Sequence, residues 1–274
     1  MNYTELICRK PGNSDETDIL VAELASVGFE SFTEEDDRLL AYIPEKDYSE
    51  KELYENDYLK QHLKVLAVNS IEDQNWNAVW ESNYEPVVIR DCGIRAPFHP
   101  ERKDLKYDIV IHPKMSFGTA HHETTALIID MLLDKDVKGK KVLDMGCGTA
   151  VLAILASMKG AAHITAIDND EWAYTNAIEN CTLNNIENIR VEMGDEQLLG
   201  EETFDLILAN INKNILLGAI PDYARVLEKG GEIIFSGFYE SDLEDIKNKA
   251  EANGLLYQLY KMKNNWVAAS FIKK

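Results

Sequence analysis

Along residues 1–70 the apolar positions change period several times, and each change marks an element. Thr4 to Cys8 reads as a strand. After the turn Pro11-Gly12-Asn13, Ile19, Leu20, Ala22, Leu24 and Val27 recur at helical spacing, so a helix is predicted over 15–27 with Ser14 as its N-cap and Gly28 as its stop. Phe29–Thr33 and Leu39–Ile43, separated by the acidic run Glu34-Glu35-Asp36-Asp37, read as a hairpin. A helix over Tyr48–Leu63 and a strand over Val65–Val68 complete a β-α-β-β-α-β order, which predicts a small ferredoxin-like α+β domain over 1–70.

Residues 71–90 break the pattern. Trp76 and Trp80 stand four apart, which puts both on one face of a short linker helix. Such a pair docks a linker onto a neighbouring domain or serves as a stacking platform for bases. From Tyr107 onward strands alternate with helices. Strands are predicted at Lys141–Met145, Ile164–Ile167, Ile189–Met193, Leu206–Ala209 and Glu232–Phe235. The helices between them are Ala150–Met158, Glu171–Leu183 and Leu216–Leu227, the last followed by a turn at Lys229-Gly230-Gly231. A helix at Leu243–Asn253 and strands at Leu256–Tyr260 and Val267–Phe271 close the chain. This alternation predicts an α/β domain over 91–274, with a mostly parallel sheet covered on both faces.

Charge narrows the partners. The 274 residues carry 48 acids and 28 bases, a formal net of −20, and residues 1–60 alone hold 16 acids against 6 bases. A surface of that sign disfavours nucleic acid or anionic lipid as the primary ligand, and leaves either a basic partner or simple solubility as its meaning. Four scattered cysteines form no C-x-x-C pair, so neither a disulfide framework nor a structural metal is expected. The opening residues lack a basic-then-apolar pattern and no apolar run reaches the roughly 18 residues of a membrane span, so a cytoplasmic protein is expected.

The chemistry concentrates at strand ends. In Val142-Leu143-Asp144-Met145-Gly146-Cys147-Gly148-Thr149-Ala150 a buried strand runs into small residues and then a helix, so backbone can approach a ligand closely at Gly146 and Gly148. A dinucleotide fingerprint would need Gly at position 151, where Val151 stands. The run resembles the first motif of class I S-adenosylmethionine-dependent methyltransferases. Asp168 ends the next strand, 22 residues after Gly146, where a carboxylate can accept hydrogen bonds from both ribose hydroxyls. Asp195 follows the third strand, either as a helix cap or at the position where that class contacts adenine.

Asn210 ends the fourth strand, in Leu208-Ala209-Asn210-Ile211-Asn212. A free lysine is almost wholly protonated at neutral pH, and a carboxylate beside it would hold that proton. A neutral amide oxygen orients the amine without doing so, which suits Asn210 to amine methylation, although a strand-ending Asn can equally satisfy a turn. Upstream, the loop Phe117 to Thr125 contains His121-His122-Glu123, whose adjacent positions are poorly placed to share one metal ion. Thr124 and Thr125 are expected to cap the following helix and to reach a ligand at the sheet edge.

Together these features resemble the ribosomal protein L-eleven methyltransferase family, over essentially the whole chain. The resemblance is carried by the Phe117-Gly118-Thr119 to Thr125 loop, Val142–Gly148, Ala209-Asn210-Ile211, Lys229-Gly230-Gly231, Trp76 and Trp80, and the N-terminal module. It implies a Rossmann-like class I methyltransferase domain behind a substrate-recognition domain. The implied activity is transfer of methyl groups from S-adenosyl-L-methionine to lysine side chains and the N-terminal α-amine of a large-subunit ribosomal protein. By motif position, Thr125, Gly146, Asp168 and Asn210 would contact the cofactor, with Phe117, Gly148 and Asp195 beside them; Asn210 would also face the acceptor amine. A monomer is expected. Ala120, Glu123 and Ala150 depart from the family pattern; Ala150 fits its turn if φ there is negative, and Ala120 would restrict loop closure. The remaining alternatives are another class I methyltransferase, acting on glutamine, nucleic acid or a small molecule, and a non-catalytic ribosome-assembly factor.

Overall fold

The structure, a computed structural model, describes residues 2–71, 84–114 and 117–274. The Trp76 and Trp80 pair lies outside the described residues. The chain divides into two units, Met1–Asn83 and Tyr84–Lys274.

In the first unit β1 (Tyr3–Arg9), α1 (Ser14–Ser26), β2 (Ser31–Glu35), β3 (Arg38–Pro44), α2 (Glu50–Glu55), α3 (Asp57–His62) and β4 (Val65–Ile71) follow one another. The sheet is antiparallel with order β2-β3-β1-β4, the ferredoxin-like arrangement. Alternation sorts the strands: Leu6 and Cys8 of β1 and Leu39, Ala41 and Ile43 of β3 point inward, onto Leu20 and Leu24 of α1, Leu53 of α2 and Leu59 of α3. Three details differ from the sequence reading. Asn13, not Ser14, caps α1, its Oδ1 accepting from the Glu16 N–H at 2.7 Å. Glu34 and Glu35 belong to β2, and the turn shrinks to Asp36-Asp37, with Asp36 at φ 46°. The single helix predicted over 48–63 is two, because the Asn56 side chain accepts from the Tyr58 and Leu59 N–H groups and starts α3 afresh.

The second unit opens with a three-stranded sheet of β5 (Val87–Ile89), β6 (Cys92–Arg95) and β7 (Tyr107–Val110), which the sequence pattern did not predict. There follow α4 (Glu123–Leu133), β8 (Lys141–Met145), α5 (Val151–Met158), β9 (His163–Asp168), α6 (Glu171–Leu183), β10 (Ile189–Met193) and β11 (Phe204–Asn210). The chain ends with α7 (Lys213–Val226), β12 (Leu227–Tyr239), α8 (Leu243–Ala252), β13 (Leu255–Lys263) and β14 (Trp266–Lys273). The seven strands order as β10-β9-β8-β11-β12-β14-β13, parallel from β10 to β12 and antiparallel through β14 and β13. The predicted turn at Lys229-Gly230-Gly231 interrupts the pairing inside β12: Phe204 faces Leu227, Leu206 faces Glu232, and the residues between loop out around Gly230 at φ 76°. The strand order reverses between β8 and β11, and a doubly wound sheet opens a crevice at the carboxyl ends of such a pair.

Candidate functional site

The two strands at the reversal deliver the site. After β8 the backbone enters the left-handed region three times, at Gly146 (φ 69°), Gly148 (φ 54°) and Ala150 (φ 61°). The negative φ on which an easy fit of Ala150 depended is therefore not met. This alanine is fully buried at the start of α5, in a conformation that costs a non-glycine residue about 1–2 kcal/mol. Gly148 has no alternative: a Cβ there would stand 2.2 Å from the Phe117 carbonyl oxygen. The turn and the loop after residue 116 form one packed piece, since Thr149 N–H donates to Phe117 O at 2.9 Å and Thr149 Oγ1 to Gly118 O at 2.7 Å. Ala120 in that loop is also left-handed (φ 64°) and buried.

Asp168, at the end of β9, accepts from Gly148 N–H through Oδ2 at 2.8 Å and from Asp170 N–H through Oδ1 at 3.0 Å. Each oxygen keeps lone-pair capacity for a further donor. Asn210, at the end of β11, donates through Nδ2 to Thr125 Oγ1 at 3.1 Å, while its Oδ1 is buried without a hydrogen-bond partner. Thr124 and Thr125 do not cap α4 as expected. They are buried in its first turn, and the cap is His122, whose Nδ1 accepts from Thr124 N–H at 3.3 Å and lies 2.8 Å from Thr124 Oγ1. His121, His122 and Glu123 turn to Glu85 O, Thr124 and Asn264 respectively, and no cluster able to hold a metal occurs among the described residues.

A cavity of about 490 Å³ opens where these pieces meet, lined by Phe117, His122, Gly146, Gly148, Asp168, Asn210 and Trp266 among others. Thr125 stands behind Asn210 rather than in this wall. Asp195 lines a smaller adjoining hollow of about 80 Å³ with Gly194, Ile215 and Tyr223, and that hollow shares Gly146, Asp168 and Ile211 with the large cavity. It also caps the short turn that follows, accepting from Gln197 N–H at 3.0 Å, as the capping reading of Asp195 expects.

Sequence reasoning missed one wall altogether. The β13–β14 hairpin turns through Asn264 (φ 50°) and Asn265 (φ 65°) and places Trp266 at the cavity, its ring 4.1 Å from that of Tyr239 and 4.8 Å from that of His122, which itself lies 5.2 Å from Phe117. An Asn-Asn pair between two alternating runs was the available signal. Beneath the glycine turn, Asp144 is fully buried. Its Oδ2 accepts from Ala153 N–H at 3.1 Å, its Oδ1 has no partner, and burial pushes its carboxyl up to about 8.

S-adenosylmethionine fits these residues. The cavity lies at the switch point and has the size of a small-molecule site, Asp168 faces it with acceptor capacity to spare, and the orphaned Asn210 oxygen awaits a donor.

Comparison with known proteins agrees. The family model described as Ribosomal protein L11 methyltransferase (PrmA) matches residues 12–274. The chain is 46% identical over 281 residues to the ribosomal protein L11 methyltransferase of Phocaeicola vulgatus, covering 100% of both chains. It is 42% identical to that of Chlorobaculum tepidum over 78% of each chain. A crystal structure of ribosomal protein L11 methylase from Lactobacillus delbrueckii subsp. bulgaricus superposes with a TM-score of 0.64 at 31% identity, covering 70% of this chain and 100% of that one.

Proposed function

The chain belongs to the ribosomal protein L11 methyltransferase family, and we propose that it transfers methyl groups from S-adenosylmethionine to lysine side-chain amines and the N-terminal α-amine of ribosomal protein L11. That it is an S-adenosylmethionine-dependent methyltransferase follows from the family; the choice of amine nitrogen as acceptor is our reading. The observation that carries it is the buried, unpartnered Oδ1 of Asn210 at the carboxyl end of β11.

Bound S-adenosylmethionine supplies an electrophilic methyl group on a sulfonium. Asp168 and the glycine turn hold the cofactor end of the cavity, Asp168 through oxygens already fixed by two backbone N–H groups. Asn210 Oδ1 accepts an N–H from the neutral acceptor amine and aims the nitrogen lone pair. With its lone pair so aimed, the acceptor nitrogen would take up the methyl group, and the product ammonium would release its proton to water. Thr125 Oγ1 fixes the Asn210 amide so that its oxygen, not its nitrogen, faces the amine. Phe117, His122 and Trp266 supply aromatic walls beside the acceptor. The acidic first unit captures the basic acceptor, and the enzyme works where ribosomal proteins are made, in the cytoplasm. No helix among the described residues is long and apolar enough to cross a membrane.

The test is intact-mass analysis of ribosomal proteins after incubation with labelled S-adenosylmethionine. Ribosomal protein L11 should gain several methyl groups; label confined to RNA or small molecules would sink the reading. Asn210→Ala should fold normally and lose about 100-fold in kcat, the scale of one positioning contact. Full activity in that variant would remove Asn210 from the mechanism.

A further inference from the structure

Strand β4 closes the sheet of the first unit. It pairs with β1 on one side, and among the described residues no strand pairs with its other edge. Its sequence, Val-Leu-Ala-Val-Asn-Ser-Ile, holds no charge and no proline in a chain that is 28% charged. Edge strands are ordinarily protected from strand addition by lysines, prolines or bulges; here the one irregularity in the β1–β4 ladder sits at the start of β4 and leaves the rest regular. Six of its seven residues are exposed, with Leu66 at 49%, Val68 at 46% and Ile71 at 40%. Val68 faces Leu6 and so lies on the helix-covered side of the sheet, yet the helices leave it open. The polar members turn back onto their own unit: Asn69 Nδ2 donates to Glu5 Oε2 at 2.8 Å and Ser70 Oγ to Glu45 Oε1 at 3.3 Å. The edge thus presents a backbone ladder and apolar side chains.

Its surroundings select the occupant. Residues 2–71 hold 16 acids and 7 bases, so a second copy of this chain would meet its own charge, whereas a lysine-rich segment is attracted. We propose that β4 is the docking edge for the acceptor protein, which adds an extended apolar segment flanked by lysines as a fifth strand. The proposal rests on the amine-methylating reading above. Capture through main-chain hydrogen bonds leaves the acceptor's own amines free to enter the catalytic cavity.

Amide hydrogen exchange on the full-length enzyme, with and without ribosomal protein L11, reads this directly. Exchange across residues 65–71 should slow by about tenfold or more at saturating acceptor. Val68→Lys and Val68→Glu should each raise the KM for acceptor about tenfold, with kcat at saturation and S-adenosylmethionine affinity unchanged. Tighter capture by Val68→Glu would show attraction by charge alone and overturn strand addition. Unchanged exchange with an enzyme that still methylates the acceptor would overturn the proposal while sparing the functional reading; no methyl transfer by the wild type would remove both. Protection of 65–71 that grows with enzyme concentration and needs no acceptor would assign the edge to self-association and overturn it as well.

Discussion

Asp144 shows how a single residue beneath the site couples to pH. Its carboxyl is raised to about 8 by burial, with Asp168 adding a smaller push in the same direction against the Ala153 N–H hydrogen bond. Unfolded, the same group titrates near 3.9. Between roughly pH 4 and pH 8 the unfolded chain has released this proton and the folded one has not, so stability falls as pH rises through that window and levels off above it. Asp144→Asn removes the titration while keeping an acceptor for Ala153. The drop in melting temperature between pH 5 and pH 8 should be shallower in the variant than in the wild type, and parallel curves would exclude Asp144 as its source. Nothing in the sequence announced this, because Asp144 reads as one polar residue in an apolar strand. Asp168 and Asn210 were legible because each ends a buried strand, where a polar side chain has a cavity to face. The left-handed φ of Ala150 was not, since an alanine carries no mark of the backbone forced on it by the turn it completes. The capping role of His122 was hidden for a different reason: two threonines beside it are commoner caps, and only their burial shows otherwise.

Among the elements, the β13–β14 hairpin depends on a contact with α4. The Asn264 side chain donates to Glu123 Oε1 at 2.8 Å, a bond that holds the Glu123 carboxyl below its ordinary range and ties the hairpin tip to the first turn of α4. One end of that tie leads to Trp266 and the other to His122, whose rings meet at the cavity. Asn264→Gly keeps a residue at ease with positive φ but deletes the amide, and Glu123→Ala deletes the acceptor. Each should lower kcat/KM for acceptor roughly threefold, the double variant no further, and Glu123→Gln should match the wild type. Independent, multiplying losses in the double variant would show that hairpin and helix are not coupled through this bond. Elements set between clear turn signals were readable from the chain: α6 occupies Glu171–Leu183 as predicted, and β8 occupies Lys141–Met145. The failures share a cause. Strands of three or four residues, as in β5, β6 and β7, are too short to show a period, and one Asn in the middle of an apolar helical pattern, Asn56, ended a helix that spacing alone would have continued.

At the scale of the whole molecule, the net charge of −20 is the property most open to two meanings. Excess acid raises solubility without any partner, so composition alone could not choose. The structure gives the acid a position: the unit with more than twice as many acids as bases also carries an uncharged, exposed edge strand, and the second unit carries the reversal of strand order and its cavity. Long-range attraction and short-range pairing then act at different ranges and respond to different conditions. Raising monovalent salt from about 0.05 M to about 0.5 M shortens the screening length to well under 10 Å, which weakens attraction between separated charges and leaves contact pairing intact. The KM for acceptor should rise about tenfold over that range while kcat at saturation changes less than about twofold. The loss caused by Val68→Lys should shrink somewhat at high salt, because its added charge is screened, whereas that caused by Val68→Glu should persist, because its cost is the lost apolar contact. A salt-independent KM in the wild type would return the acidic excess to solubility and leave β4 to account for capture unaided.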